Sequence, residues 1–137
     1  MNRISILHLW VGKTGKSQKE FDKYFNQSQA FMFDSDGREK NPEEIVLSQF
    51  STDIGLKTSF DEDFLTIYFA ADNDSLDETL MEVEDSPDFE NIKKACSEKG
   101  IDEANAMFFY TDIEIEISNS NEKYNDLTYI GKFQSPY

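Results

Sequence analysis

The sequence predicts an α+β protein of one domain, residues 1–137, built on a mixed or mainly antiparallel sheet of four to five strands with helices packed mainly on one face. Element order is the first observation behind this. Strand-like runs and capped helices follow one another as β, α, short α, β, α, α, β, β, which leaves the last two strands free to form a hairpin. Size and content are the second: 137 residues, 38% apolar and 14% aromatic with twelve Phe, suffice for one core. A chain of this length hides roughly 68% of the surface that its unfolded form exposes. The third is continuity, since no repeat, low-complexity tract or long linker divides the chain.

The first strand spans 4–11, where Ile4, Ile6, His8 and Trp10 alternate with Ser5, Leu7, Leu9 and Val11. Both faces are largely apolar, which places this strand inside the sheet. Residues 12–16 form a turn, and Ser17 with Glu20 makes a capping box for a helix over 18–27 that turns Phe21, Tyr24 and Phe25 to one side. Ser48 caps a short helix ending near Ile54, stopped by Gly55, with Val46 and Leu47 extended before it. A longer helix capped by Asn41, with Pro42 in its first position, is the alternative.

The second strand covers 64–70, with Phe64, Thr66, Tyr68 and Ala70 on one face and Leu65, Ile67 and Phe69 on the other. Ser75 and Glu78 box the next helix, whose stripe is Leu76, Leu80 and Val83. Ser86 caps another with Pro87 first, Phe89, Ile92 and Cys96 inward, and Gly100 as its stop. Residues 106–110 are nearly all apolar and run on to Ile117 in strict alternation, with Asp112, Glu114 and Glu116 outward. A polar turn over 119–125 leads to the last strand, 127–133. Trp10, Phe21, Phe25, Ile67, Phe69 and Phe108 are assigned to the core.

Charge is the strongest functional signal. From Thr58 to Ile92 there is no lysine or arginine, against Asp61, Glu62, Asp63, Asp72, Asp74, Asp77, Glu78, Glu82, Glu84, Asp85, Asp88 and Glu90. The first thirty residues run the other way, with Arg3, Lys13, Lys16, Lys19 and Lys23 against Glu20 and Asp22, inside a formal net charge of −15. Such a field repels nucleic acid and anionic membrane and attracts a basic protein. Neither nucleic acid nor membrane is therefore expected as a partner, and a self-repelling chain is expected to be a monomer when free. The apolar run at 4–11 is too short for a signal peptide or a span, and the single Cys96 suits a reducing compartment, so a cytoplasmic protein is expected.

Motifs with chemistry fall short. Gly12-Lys13-Thr14-Gly15-Lys16-Ser17 has the strand–turn–helix context of a phosphate loop, but Trp10 stands where that motif needs its first glycine. Asp34-Ser35-Asp36-Gly37 has part of a calcium loop, with Glu43 in register, yet Met32 occupies the position of the opening aspartate. His8 and Cys96, one of each, complete no structural zinc site with each other and read as core side chains. Close carboxylate pairs arise by chance among 28 acids, so they do not indicate a glycosidase. No enzyme, metal or cofactor is expected.

Four segments in order carry a resemblance: Leu9-Trp10-Val11-Gly12; Ser17 and Glu20-Phe21 with Tyr24-Phe25; Ser48-Gln49-Phe50 with Asp53 and Gly55; and Asp61-Glu62-Asp63-Phe64. Together they resemble the bacterial family called immunity protein 22 and cover roughly residues 4–70. The chain departs in a longer, more polar stretch between Ser28 and Asn41. The resemblance implies a small cytosolic antidote to a polymorphic toxin, binding one toxin domain and blocking its active site or substrate groove without catalysis. The charge argument converges on this, because a nuclease toxin needs a basic groove for phosphates and an acidic protein can fill it. The expected partner-binding residues are Phe60, Asp61, Glu62, Asp63, Tyr68, Asp72, Asp74, Glu82, Glu84 and Asp85, with Phe60 and Tyr68 as aromatic anchors. The row Asp112, Glu114 and Glu116 is the competing surface. An acidic DNA mimic or an adaptor for another basic protein is the alternative function, and a small enzyme is the third.

Overall fold

The computed structural model describes residues 6–26, 48–56, 60, 62–72, 74–111, 117 and 123–134. Its elements are β1 (Ile6–Gly12), α1 (Gln18–Lys23), α2 (Gln49–Asp53), a 3-10 turn (Glu62–Phe64), β2 (Leu65–Phe69), α3 (Leu76–Thr79), a 3-10 turn (Met81–Val83), α4 (Phe89–Glu98), β3 (Ala106–Thr111), β4 (Lys123–Tyr124) and β5 (Leu127–Gln134). The strands form one five-stranded sheet in the order β2-β3-β1-β5-β4, every neighbouring pair antiparallel. The α+β class and the antiparallel sheet are as the sequence predicts.

β1 lies between β3 and β5, as its two apolar faces require. Trp10 stands opposite Phe108 on one side and Tyr129 on the other. Between Leu9 and Trp10 the pairing with β5 slips by one residue, leaving Ile130 as the extra residue of a bulge. Gly131, opposite Leu9, takes φ +145, a conformation that side chains resist.

The same pleat separates two cores. Trp10, Phe108, Tyr110 and Tyr129 face α1 and α2, meeting Phe21, Tyr24, Phe25 and Phe50. Leu7, Leu9, Val11, Met107 and Phe109 face the other way, meeting Leu80, Val83, Ile92 and Cys96 from α3, the following turn and α4. Helices therefore cover both faces, not mainly one. The physical reason is already in β1: a strand apolar on both sides needs a cover on each.

Local rules account for most element ends. Ser17, Ser48 and Ser75 each accept a backbone N–H three residues on, from Glu20, Ser51 and Glu78. Gly55 and Gly100 follow α2 and α4 at φ +82 and +75, satisfying the left-handed stop. α1 stops at Lys23, short of the expected 27, and hands over to single turns in which Phe25 N–H reaches the Asp22 carbonyl. α4 begins at Phe89, not directly after Ser86: the Ser86 hydroxyl donates to the Gln134 carbonyl and accepts the Asp88 N–H, so it ties the helix to the end of β5. Phe64 lies in the turn before β2. Ile67, expected in the core, is 37% exposed because β2 is an edge strand. The calcium-like loop at 34–37 and the alternating acids at 112–116 lie outside the described residues.

The β4–β5 hairpin turns through Asn125 and Asp126 at φ 55 and 72, the two positive values that a tight two-residue hairpin needs. Their side chains are used as well. Asn125 donates to the Phe21 carbonyl at 3.0 Å and accepts from Lys16 Nζ at 2.7 Å, while the Thr14 hydroxyl donates to Asp126 at 2.7 Å. The hairpin is thereby pinned to the turn before α1.

Ser48 offers a clean test of capping. It is buried, and its Oγ accepts the Ser51 N–H at 2.9 Å. Ser48→Ala is expected to cost about 1 kcal/mol in urea unfolding, and a change near zero would show that tertiary packing alone holds α2.

Burial also predicts alkaline lability. It pushes the Cys96 thiol up from 9.0 to about 11, and the Tyr129 phenol from 10.0 to about 12. Tyr24 is raised as well, first by burial and then by its hydrogen bond to the Asp53 carboxylate. The folded chain holds these protons more tightly than the unfolded chain, so the contribution of Cys96 and Tyr129 is complete below pH 9 and is lost as pH climbs through about 11 to 12. Urea midpoints at pH 8 and pH 11 check the sign, and equal midpoints would contradict it.

Candidate partner-binding surface

The expected binding residues fall into three groups. Asp63, Asp72, Asp74, Glu82, Glu84 and Asp85 are all exposed, on the turn before β2, just after β2, and around the turn that follows α3. Tyr68 is half-buried against the core on the α4 side, leaving only part of its ring to a partner. Phe60 is a correction: at 3% exposure its ring stands edge-on to Phe50 and Tyr110, 5.2 and 6.1 Å between centroids. A benzyl group among other rings gains more there than in water, so Phe60 is core and not an anchor. Glu62 occupies the 3-10 turn before β2, and Asp61, like Asp112, Glu114 and Glu116, lies outside the described residues.

The fold brings acids together that the sequence keeps apart. Asp74 and Asp77 line an open concavity of about 500 Å³ with Ser75, Leu76, Asp102 and Glu103. A bridge between Ser75 and Glu103, and the Ala104 N–H on the Asp74 carbonyl at 3.1 Å, hold the two segments side by side. Lys13 reaches in from the end of β1 to Glu103 at 3.0 Å and Asp74 at 3.1 Å. Its ammonium is raised above the usual lysine range, first by the hydrogen bond to Glu103 and then by that to Asp74. Asp102 and Glu103 were missed in the sequence because they follow the stop of α4 and gain meaning only from a bridge to a distant segment.

Residues with chemical potential elsewhere are spent on structure. His8 is fully buried mid-strand, its Nδ1 2.9 Å from the Tyr129 hydroxyl in a hydrogen bond. In the turn after β1, the Thr14 N–H is bound by the Asn105 side chain at 2.9 Å and the Lys16 N–H by the Thr14 hydroxyl at 3.1 Å. Amides held this way are not presented to a phosphate. Among the described residues, no three His, Cys, Asp or Glu side chains converge to hold a metal ion. Nor is any described helix long and apolar enough to cross a membrane.

Comparison with known families decides what such an acidic, helix-covered sheet is. The family model described as immunity protein 22 matches residues 7–135 of the 137. The chain belongs to the immunity protein 22 family. Neither the curated proteins nor the solved structures give a match. Membership implies a cognate toxin protein as the partner and suggests an inhibitory, non-catalytic role. In this immunity protein the first three segments that carry the resemblance are architectural: Trp10, Phe21, Tyr24, Phe25 and Phe50 meet in one core, and Ser17 and Ser48 cap the helices that cover it.

Proposed function

We propose that this immunity protein neutralises a nuclease toxin domain, acting in the cytoplasm as a monomer that lays an acidic surface over the basic groove where the toxin holds phosphates. One observation carries the reading: across 58–92, a stretch without a single cation, Asp63, Asp72, Asp74, Asp77, Glu82, Glu84 and Asp85 are exposed on or beside elements fixed by the core. Ordered charge of one sign matches a groove of the other, steers encounter, and competes with the nucleic acid backbone for the same cations. Asp61 and Glu62 belong to the same acidic run in the sequence and are assigned to partner binding on that ground alone. Tyr68 supplies the part-exposed aromatic contact that Phe60 does not.

The test is co-expression with the cognate toxin domain, scored for survival and for intact cellular nucleic acid. Survival that requires this protein, and a complex that purifies at low salt and weakens at high salt, are the expected results. Survival with a toxin that leaves nucleic acid intact would keep the immunity role and overturn the nuclease assignment. Failure to protect, together with retention of several unrelated basic proteins, would favour the acidic adaptor.

A further inference from the structure

We propose that the outer edge of β2 is a docking strand, onto which the toxin adds a β-strand of its own with cationic residues at its ends; the toxin as source of that strand rests on the function proposed above. The sheet order places β2 at one end and the two-residue β4 at the other. Of the two edges, β2 is the longer among the described residues, with five residues to offer a partner.

The backbone direction of β2 follows from one bond. The Ala70 N–H donates to the Asn105 carbonyl at 2.8 Å, so the Phe69 carbonyl, on the other side of that peptide plane, points away from β3. Alternation along the strand then directs the N–H and C=O of Leu65, Ile67 and Phe69 outward, while Thr66 and Tyr68 bond to β3. Among the described residues nothing pairs with that outer row. Side chains mark the same edge: among the described residues, Phe64 and Ile67, at 51% and 37% exposure, are two of the three large apolar residues left in solvent, Met81 being the third.

Natural edge strands are protected by lysine, proline or a bulge. Here there is no lysine or arginine between residues 58 and 92, no proline between 58 and 86, and the β2–β3 register is unbroken. An apolar edge that none of these devices guards among the described residues, on an otherwise highly charged protein, suits a partner.

Charge selects the occupant. Antiparallel self-pairing centred on Ile67 would bring residues 62–63 of one copy against residues 71–72 of the other, acid to acid at both ends, between molecules of net charge −15. A strand with lysine or arginine at its ends meets Asp63 at one end and Asp72 at the other with complementary sign.

A synthetic peptide, acetyl-Lys-Thr-Val-Thr-Val-Thr-Lys-amide, tests the edge through NMR-detected amide exchange. At saturating peptide the Leu65, Ile67 and Phe69 amides are expected to slow by at least about tenfold, with Thr66 and Tyr68, already bonded to β3, unchanged. The analogue with glutamates at both ends is expected to give no protection. Absence of protection with the lysine peptide overturns the proposal. So does protection without peptide that grows with protein concentration, which would mean that a second copy fills the edge.

Ile67→Pro removes one outward N–H without touching the β2–β3 ladder, so the fold tolerates it and the peptide response is lost. Ile67→Lys keeps the N–H and opposes the cationic strand, so it decides the matter if the proline variant fails to fold. An unchanged peptide response in Ile67→Lys overturns the proposal. The same variants separate this idea from the proposed function. Full toxin neutralisation by Ile67→Lys would overturn edge docking and leave the immunity role standing. A wild-type protein that takes up the peptide but does not protect from the toxin would do the reverse.

Discussion

Phe108→Ala is expected to destabilise the protein by about 3–5 kcal/mol, the range for removing a fully buried phenyl ring. The ring sits on β3 in the middle of the first core, stacked on Trp10 at 4.8 Å and met edge-on by Phe25 at 5.0 Å and Phe50 at 5.6 Å. Little of the resulting cavity can close. Trp10 is held by strands on both sides, and Phe50 by a helix whose cap is buried. Set against a typical total of about 5–15 kcal/mol, that loss leaves a marginal fold. Urea unfolding measures it, and a loss below about 1.5 kcal/mol would show that the rings repack. Trp10→Phe is expected to cost much less despite the larger native side chain. The Trp10 Nε1 is buried with no hydrogen-bond partner among the described residues, so its removal relieves an unsatisfied donor while most of the ring stack survives.

Strong local signals made the fold legible. Ser48 with Gly55, and Ser75 with Glu78, specify helix ends through bonds within a few residues, and those ends stand where the spacing puts them. β1 announced its central place by being apolar on both faces. Less legible was anything set by a distant partner. The Ser86 hydroxyl reads as a helix cap until the carbonyl of Gln134 arrives to claim it. Phe60 reads as an anchor for a partner because it stands beside acids in sequence, yet it packs under Tyr110 from β3. Ile67 alternates correctly for a core residue, but alternation does not reveal that its strand closes the sheet. The candidate surface shows the same division. The run of acids after Thr58 is visible in one dimension, while Asp102, Glu103 and Lys13 join Asp74 only through the bridge between Ser75 and Glu103. The segments on which the resemblance rests are mostly caps and core rings, so they speak for the architecture more than for the partner.

Neutralising Asp72, Asp74, Glu82, Glu84 and Asp85 together, as Asn and Gln, is expected to slow association with the cognate toxin domain by about 10- to 100-fold at low salt, within the range that steering contributes. All five are exposed, so each acts on the approaching partner through solvent, over a distance limited by the ~8 Å screening length at physiological salt. Their effect should therefore appear in the association rate and fade as salt is raised, with dissociation changed far less. Stability should hold or rise, because like charges on neighbouring turns repel one another in the native protein and Lys13, paired with both Asp74 and Glu103, keeps Glu103 after Asp74 is neutralised. Stopped-flow association across a salt series separates the two accounts of these residues. If they form the binding field, the wild-type rate falls steeply with salt and the variant's rate is nearly flat. Equal rates and equal salt slopes would make the acids a solvated coat, and the toxin would then have to be recognised by surface outside them, of which the apolar edge of β2 is the part described here.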